Sequence, residues 1–174
     1  MKRTVWTFGL IAGGIMAVMM VLTMPFQEKI GEDKALIVGY TSMILAFLMV
    51  YFGIRQYRDN ELAGVIRFGR AFKVGLLIAL ISSTCYVATW EVLYHTAYKG
   101  FEVKYAQSAT DQARKAGKSE AEIQKLQASM ATFVASYPNA TYRIPMTYLE
   151  VLPVGLVMVL VCSGILSRKK AAGA

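Results

Sequence analysis

Glu91 and His95 stand four residues apart in the apolar run FKVGLLIALISSTCYVATWEVLYHTAY, and Glu150 interrupts a second apolar run near the C-terminal end. An i, i+4 pair shares one face of a helix, so this carboxylate and imidazole point the same way. If the two runs are antiparallel helices, Glu91 lies about seven residues and Glu150 about five residues from the same edge, which matches their depths to within about 3 Å. A charged group inside a membrane span costs at least about 2.5 kcal/mol, so each acid must face the bundle, find a partner or take up a proton. Two carboxylates brought together would share a proton or recruit a cation. The set Glu91, His95 and Glu150 also suits zinc or a similar divalent ion with an open fourth position, although it lacks a second histidine. The plainer alternative has Glu91 hydrogen-bonded to Tyr148, Thr89 or Trp90, with His95 at the membrane interface beside Tyr94 and Tyr98. No serine, histidine and acid set and no cysteine and histidine pair competes, so no catalytic residue is assigned and no cofactor is implied.

The elements that must position these residues follow from composition. Of 174 residues, 56% are hydrophobic and 17% charged, against roughly 45 to 50% and about 25% in a soluble domain. A hydrocarbon core of about 30 Å needs roughly 20 apolar helical residues. Four segments meet that length: Val5 to Phe26, Ala35 to Ile54, Phe72 to Tyr98 and Pro145 to Leu166. The expected fold is all-α, a single integral-membrane domain over residues 1–174 built as a four-helix transmembrane bundle. Its first segment is read as a retained helix, because the apolar stretch exceeds a signal-peptide core and MPFQEK offers no small-residue cleavage site.

The net charge of +8 would suit nucleic acid if it were spread over one surface, but it sorts by side. With the N-terminus inside, the inner side carries ten Lys and Arg (Lys2, Arg3, Arg55, Arg58, Arg67, Arg70, Lys73, Arg168, Lys169, Lys170) against Asp59 and Glu61. The outer side carries nine against seven acids. That asymmetry is the positive-inside bias of a membrane protein with both termini on the cytoplasmic side, with attraction to anionic lipid heads as a by-product, and it argues against nucleic acid as a partner. Cys85 falls mid-span and Cys162 near the inner end of its helix, a depth difference of roughly 13 Å that precludes a disulfide.

Along the chain, Gly9, Gly13 and Gly14 supply the spacing at which two helix backbones approach closely, here expected within the monomer. The turn Gln27 to Lys34 is short enough to make the first two helices antiparallel neighbours. Asp59-Asn60 reads as a turn, followed by an interfacial stretch to Phe68 whose arginines either anchor topology or clamp a phosphate. Residues 99–141 are polar and expected outside the membrane as a helical hairpin between helices 3 and 4. Its second half opens with a capping box, Ser119 and Glu122. Ile123, Leu126, Met130 and Phe133 then fall on one helical stripe and are the candidates for facing a partner. KAGK around Gly117 reads as the turn between the two halves.

The stretches LTMPFQEKIG, VGYTSMILAFL, YFGIRQYRDN, IRFGRAFKVG, YVATWEVLY and LPVGLVM resemble the bacterial membrane-protein family catalogued as domain of unknown function 4199. That resemblance implies a small four-helix inner-membrane protein with an outer insertion before the last helix, and it implies no activity. Three functional readings stay open. The first is a non-enzymatic accessory or interaction subunit, contacting the lipid bilayer and other membrane-protein subunits or a second copy. The second is a small oligomeric cation- or proton-coupled transporter using Glu91 and Glu150. The third is an intramembrane metal-dependent enzyme.

The charge asymmetry makes a topological prediction. In spheroplasts, a cysteine placed by Ser119→Cys should react with a membrane-impermeant maleimide added outside. Labelling only from the cytoplasmic face would invert the topology.

Overall fold

The computed structural model describes residues 1–26 and 32–167, and these residues form helices without a strand. In chain order they are α1 (Lys2–Thr23), a short 3-10 turn (Met24–Phe26), α2 (Glu32–Glu61), α3 (Phe68–Thr96), α4 (Phe101–Lys115), α5 (Glu120–Ser136) and α6 (Ala140–Leu166). Four segments are long and apolar enough to cross a membrane: Lys2–Thr23, Leu36–Glu61, Phe68–Thr96 and Ala140–Leu166. Only 33 to 44% of each span's most apolar stretch is buried, so most of each apolar surface, including Leu10, Leu22, Phe52, Leu149 and Val157, is left facing outward. Apolar exposure of that extent on every long helix is what a lipid solvent requires. The Gln27 to Lys34 turn and the basic tail after Arg168 lie largely or wholly outside the described residues.

The chain divides into two units, Met1–Thr89 with Tyr148–Ala174, and Trp90–Thr147. In the first unit α1 and α2 pack side by side around a core that includes Phe47, Val50, Ile54, Val74, Ile78 and Val159, all fully enclosed. Small residues set the spacing. A Cβ on Gly9 would fall 2.8 Å from the Ile81 side chain, and one on Gly13 only 2.5 Å from Cys85 Cβ. The glycine face of α1 is therefore consumed inside the monomer against α3, as expected. Both cysteines are free.

Several boundaries differ from the hydropathy reading. α2 continues from Ile54 to Glu61, because the turns beyond the apolar run remain hydrogen-bonded and Arg55 lies 3.7 Å from Asp59 at i+4. Asp59-Asn60 is consequently helical. The actual turn comes at Ala63 and Gly64, with φ of +51° and +83°, a conformation that glycine adopts at no steric cost. α3 opens at Phe68 rather than Phe72 and ends at Thr96, two residues short of Tyr98. α6 starts at Ala140, five residues before Pro145. Asn139 caps that start, its Oδ1 accepting from Thr141 N–H at 3.0 Å.

The second unit contains the end of α3, α4, α5 and the start of α6. α4 and α5 touch one another, the Tyr105 and Phe133 rings lying 5.7 Å apart. α4 stops in a Schellman arrangement: Lys118 N–H donates to Ala113 C=O at 3.1 Å and Gly117 N–H to Arg114 C=O at 3.0 Å, with Gly117 at φ +69°. α5 then starts at the capping box expected from Ser119 and Glu122, where a serine hydroxyl contributes about 1 kcal/mol to its helix. The Ser119 hydroxyl and backbone N–H hold the Glu122 carboxylate below the usual carboxylate range. Its folded value lies under its unfolded one, so this support is present above the carboxylate range and lost as pH falls through the folded value.

The glycine contacts separate two neighbouring positions. Gly13→Ala should destabilise the protein by about 1 to 3 kcal/mol, since the obstructing atom is a Cβ that cannot swing aside. Gly14→Ala meets nothing within 4 Å and should leave stability unchanged or slightly raised. Thermal unfolding of the two variants in the same detergent measures the contrast.

Candidate functional site

Glu91 has an opposite charge as its partner, and that partner is Arg143. Near the C-terminal end of α3, Glu91 accepts from Arg143 Nε at 2.7 Å through Oε1 and from Arg143 Nη2 at 2.6 Å through Oε2. This is the two-pronged guanidinium and carboxylate geometry, which orients both groups as well as pairing their charges. Arg143 is wholly buried. Its remaining Nη1 hydrogens go to the carbonyls of Tyr137 at 3.1 Å and Pro138 at 3.0 Å, the last turn before α6. The guanidinium carbon lies 4.1 Å from the centre of the Tyr94 ring, close enough for a cation and π contact.

His95 stands at the edge of this arrangement. Its Nε2 is 3.7 Å from Glu91 Oε2 and 3.4 Å from Arg143 Nη2, while its side chain remains 62% exposed. A supporting ring of hydrogen bonds and aromatic contacts surrounds the pair. Trp90 Nε1–H donates to the Tyr137 hydroxyl at 2.9 Å, and the Tyr94 hydroxyl donates to the buried Glu102 at 3.2 Å. Phe101 packs 5.0 Å from Trp90 and 5.9 Å from Tyr137.

The three partners considered for Glu91 on sequence grounds are engaged elsewhere. The Tyr148 hydroxyl donates to Thr84 Oγ1 at 2.9 Å, the Thr89 hydroxyl to the Cys85 carbonyl at 2.8 Å, and Trp90 to Tyr137. Glu91 and Glu150 belong to different units, and each has its own donor. Glu150 accepts from the Tyr86 hydroxyl at 3.3 Å. Among the described residues no three His, Cys, Asp or Glu side chains are placed to hold a metal ion. Sequence reasoning missed Arg143 because it starts the last span at Pro145. Treating the cation just outside that span by the same depth argument used for the acids would have found it.

On α5, Ile123 and Phe133 are buried, whereas Leu126 and Met130 are half-buried. Met130 and Val134, with Gln107, Thr110 and Asp111 of α4, line an open groove of about 450 Å³. The stripe is thus divided between packing within its own unit and a surface that remains accessible.

A family model described as "Protein of unknown function (DUF4199)" matches residues 7–168. No curated protein and no solved structure matches the chain.

Losing one member of the ion pair leaves the other buried without its counter-charge. Arg143→Met should cost about 3 to 5 kcal/mol, and Glu91→Leu a comparable amount. Replacing both, Glu91→Leu with Arg143→Met, should recover much of that loss. Unfolding monitored by tryptophan fluorescence gives the three values, and simple additivity of the single losses would show that the two residues are not coupled.

Proposed function

The chain belongs to the DUF4199 family, and on that footing we propose that this multi-pass membrane protein is a non-enzymatic accessory or interaction subunit of a membrane complex. The observation that carries this reading is the way Glu91 is spent. Both of its oxygens are taken by a buried arginine, so the most chemically suggestive carboxylate in the chain serves to hold the segment Trp90–Thr147 in one shape. A fixed platform with an open groove beside Met130 is suited to docking another membrane-protein subunit or a second copy. We assign residues 99–141 to an extramembrane helical hairpin on the outer face of a bacterial inner membrane, with both termini cytoplasmic, from the sorted charges and the family. A metal-dependent enzyme ranks last, since a zinc ion at Glu91 would have to displace the arginine.

Glu150 supports a second reading, a cation- or proton-coupled transporter. It lies inside an apolar span and its hydrogen-bond donor is a neutral phenol, an environment that marks proton and ion pathways in many membrane proteins. Reconstitution into liposomes separates the two readings. The accessory role predicts proton and cation flux equal to that of empty vesicles, together with a stoichiometric complex in native mass spectrometry of gently solubilised membranes. Flux that is abolished by Glu150→Gln in a folded protein would replace that role by transport.

A further inference from the structure

Four arginines lie near the junction of α2 and α3, and they are not equivalent. Arg58 donates to Asp59 Oδ1 at 2.7 Å, and Arg55 lies 3.7 Å from the other oxygen of the same carboxylate. Arg67 and Arg70 pair with no acid among the described residues. Together with Leu62, Val65 and Gly69 they line a cavity of about 480 Å³. Its rim is held in place: Gly64 N–H donates to the Arg58 carbonyl at 3.0 Å, Val65 N–H to the Leu62 carbonyl at 3.2 Å, and Ile66 is buried in the core of the first unit. No acid occupies the first turn of α3. Beside the two guanidinium groups, Val65 and Phe68 leave 66% and 46% of their surface exposed, so cationic and apolar surface meet at the end of a span.

We propose that this cavity binds the headgroup of an anionic phospholipid, with Arg67 and Arg70 taking the phosphate oxygens and Val65 and Phe68 lying against the glycerol and upper acyl chain. Guanidinium groups match phosphate oxygens in geometry as well as charge. Topology anchors alone would need no cavity and no fixed rim. The two ion-paired arginines, by contrast, already have their counter-charge.

Native mass spectrometry of the full chain in neutral detergent, titrated separately with phosphatidylglycerol, phosphatidylcholine and inorganic phosphate, tests the site. One phosphatidylglycerol should be retained on the order of thirtyfold more tightly than phosphatidylcholine, the preference expected of two basic side chains near a lipid surface. Arg67→Gln with Arg70→Gln should abolish the preference, while Arg55→Gln with Arg58→Gln should preserve it. Gly69→Asp gives an independent variant, because a Cβ at that position meets nothing within 4 Å and an acid in a first helical turn favours the helix. It should lose the lipid without a lower melting temperature. Equal retention of the two lipids, or a preference that survives loss of both Arg67 and Arg70, would overturn the proposal. So would displacement of phosphatidylglycerol by an equal concentration of inorganic phosphate, which would make a soluble phosphate the ligand.

Discussion

Lipid gives two apolar helices no reason to leave it for each other, so helix association in a span must come from close backbone approach and from polar groups that have nowhere better to go. The two units use one of these solutions each. In the first, Gly9 and Gly13 let α1 settle onto Ile81 and Cys85 of α3, and the gain is dispersion over a long, close contact. In the second, the guanidinium of Arg143 collects a carboxylate, two main-chain carbonyls and an aromatic face, and the helix ends are located by that demand.

The polar solution carries the larger risk. A buried arginine stabilises a fold only when nearly every N–H has an acceptor and the charge is countered, and any loosening turns the same group into a liability. The aromatic residues around it, Trp90, Tyr94, Phe101 and Tyr137, matter for this reason. They keep the ion pair's surroundings dense, and their hydroxyl and indole groups are themselves partnered rather than left to compete for the guanidinium.

Local features are legible in the sequence and distant pairings are not. The number of spans follows from apolar run length, and the start of α5 from a Ser and a Glu three residues apart. Gly117 marks the break between α4 and α5 because its φ is +69°. Helices run past the apolar runs at the end of α2 and the starts of α3 and α6, since hydropathy records where the chain enters an apolar solvent, whereas hydrogen bonding between successive turns carries the helix beyond that point. The same effect hides Arg143. It sits in the turn added to the front of α6, and its partner is 52 residues away, a separation over which periodicity and capping rules carry no signal. The resemblance to the family rests on stretches spread along the chain and holds over residues 7–168. It is silent on this pair.

That separation of 52 residues also fixes an order of events during synthesis. Glu91 leaves the ribosome well before Arg143, so the third span is made before its carboxylate has its counter-charge. α4 and α5 make contacts that are short in sequence, with little loop entropy to lose, and they can fold in the interval. The ion pair closes only when the last span begins to emerge. The final helix is therefore the latch of the assembly as well as its fourth crossing, and a ribosome stalled before residue 143 would leave a chain whose third span has not been secured.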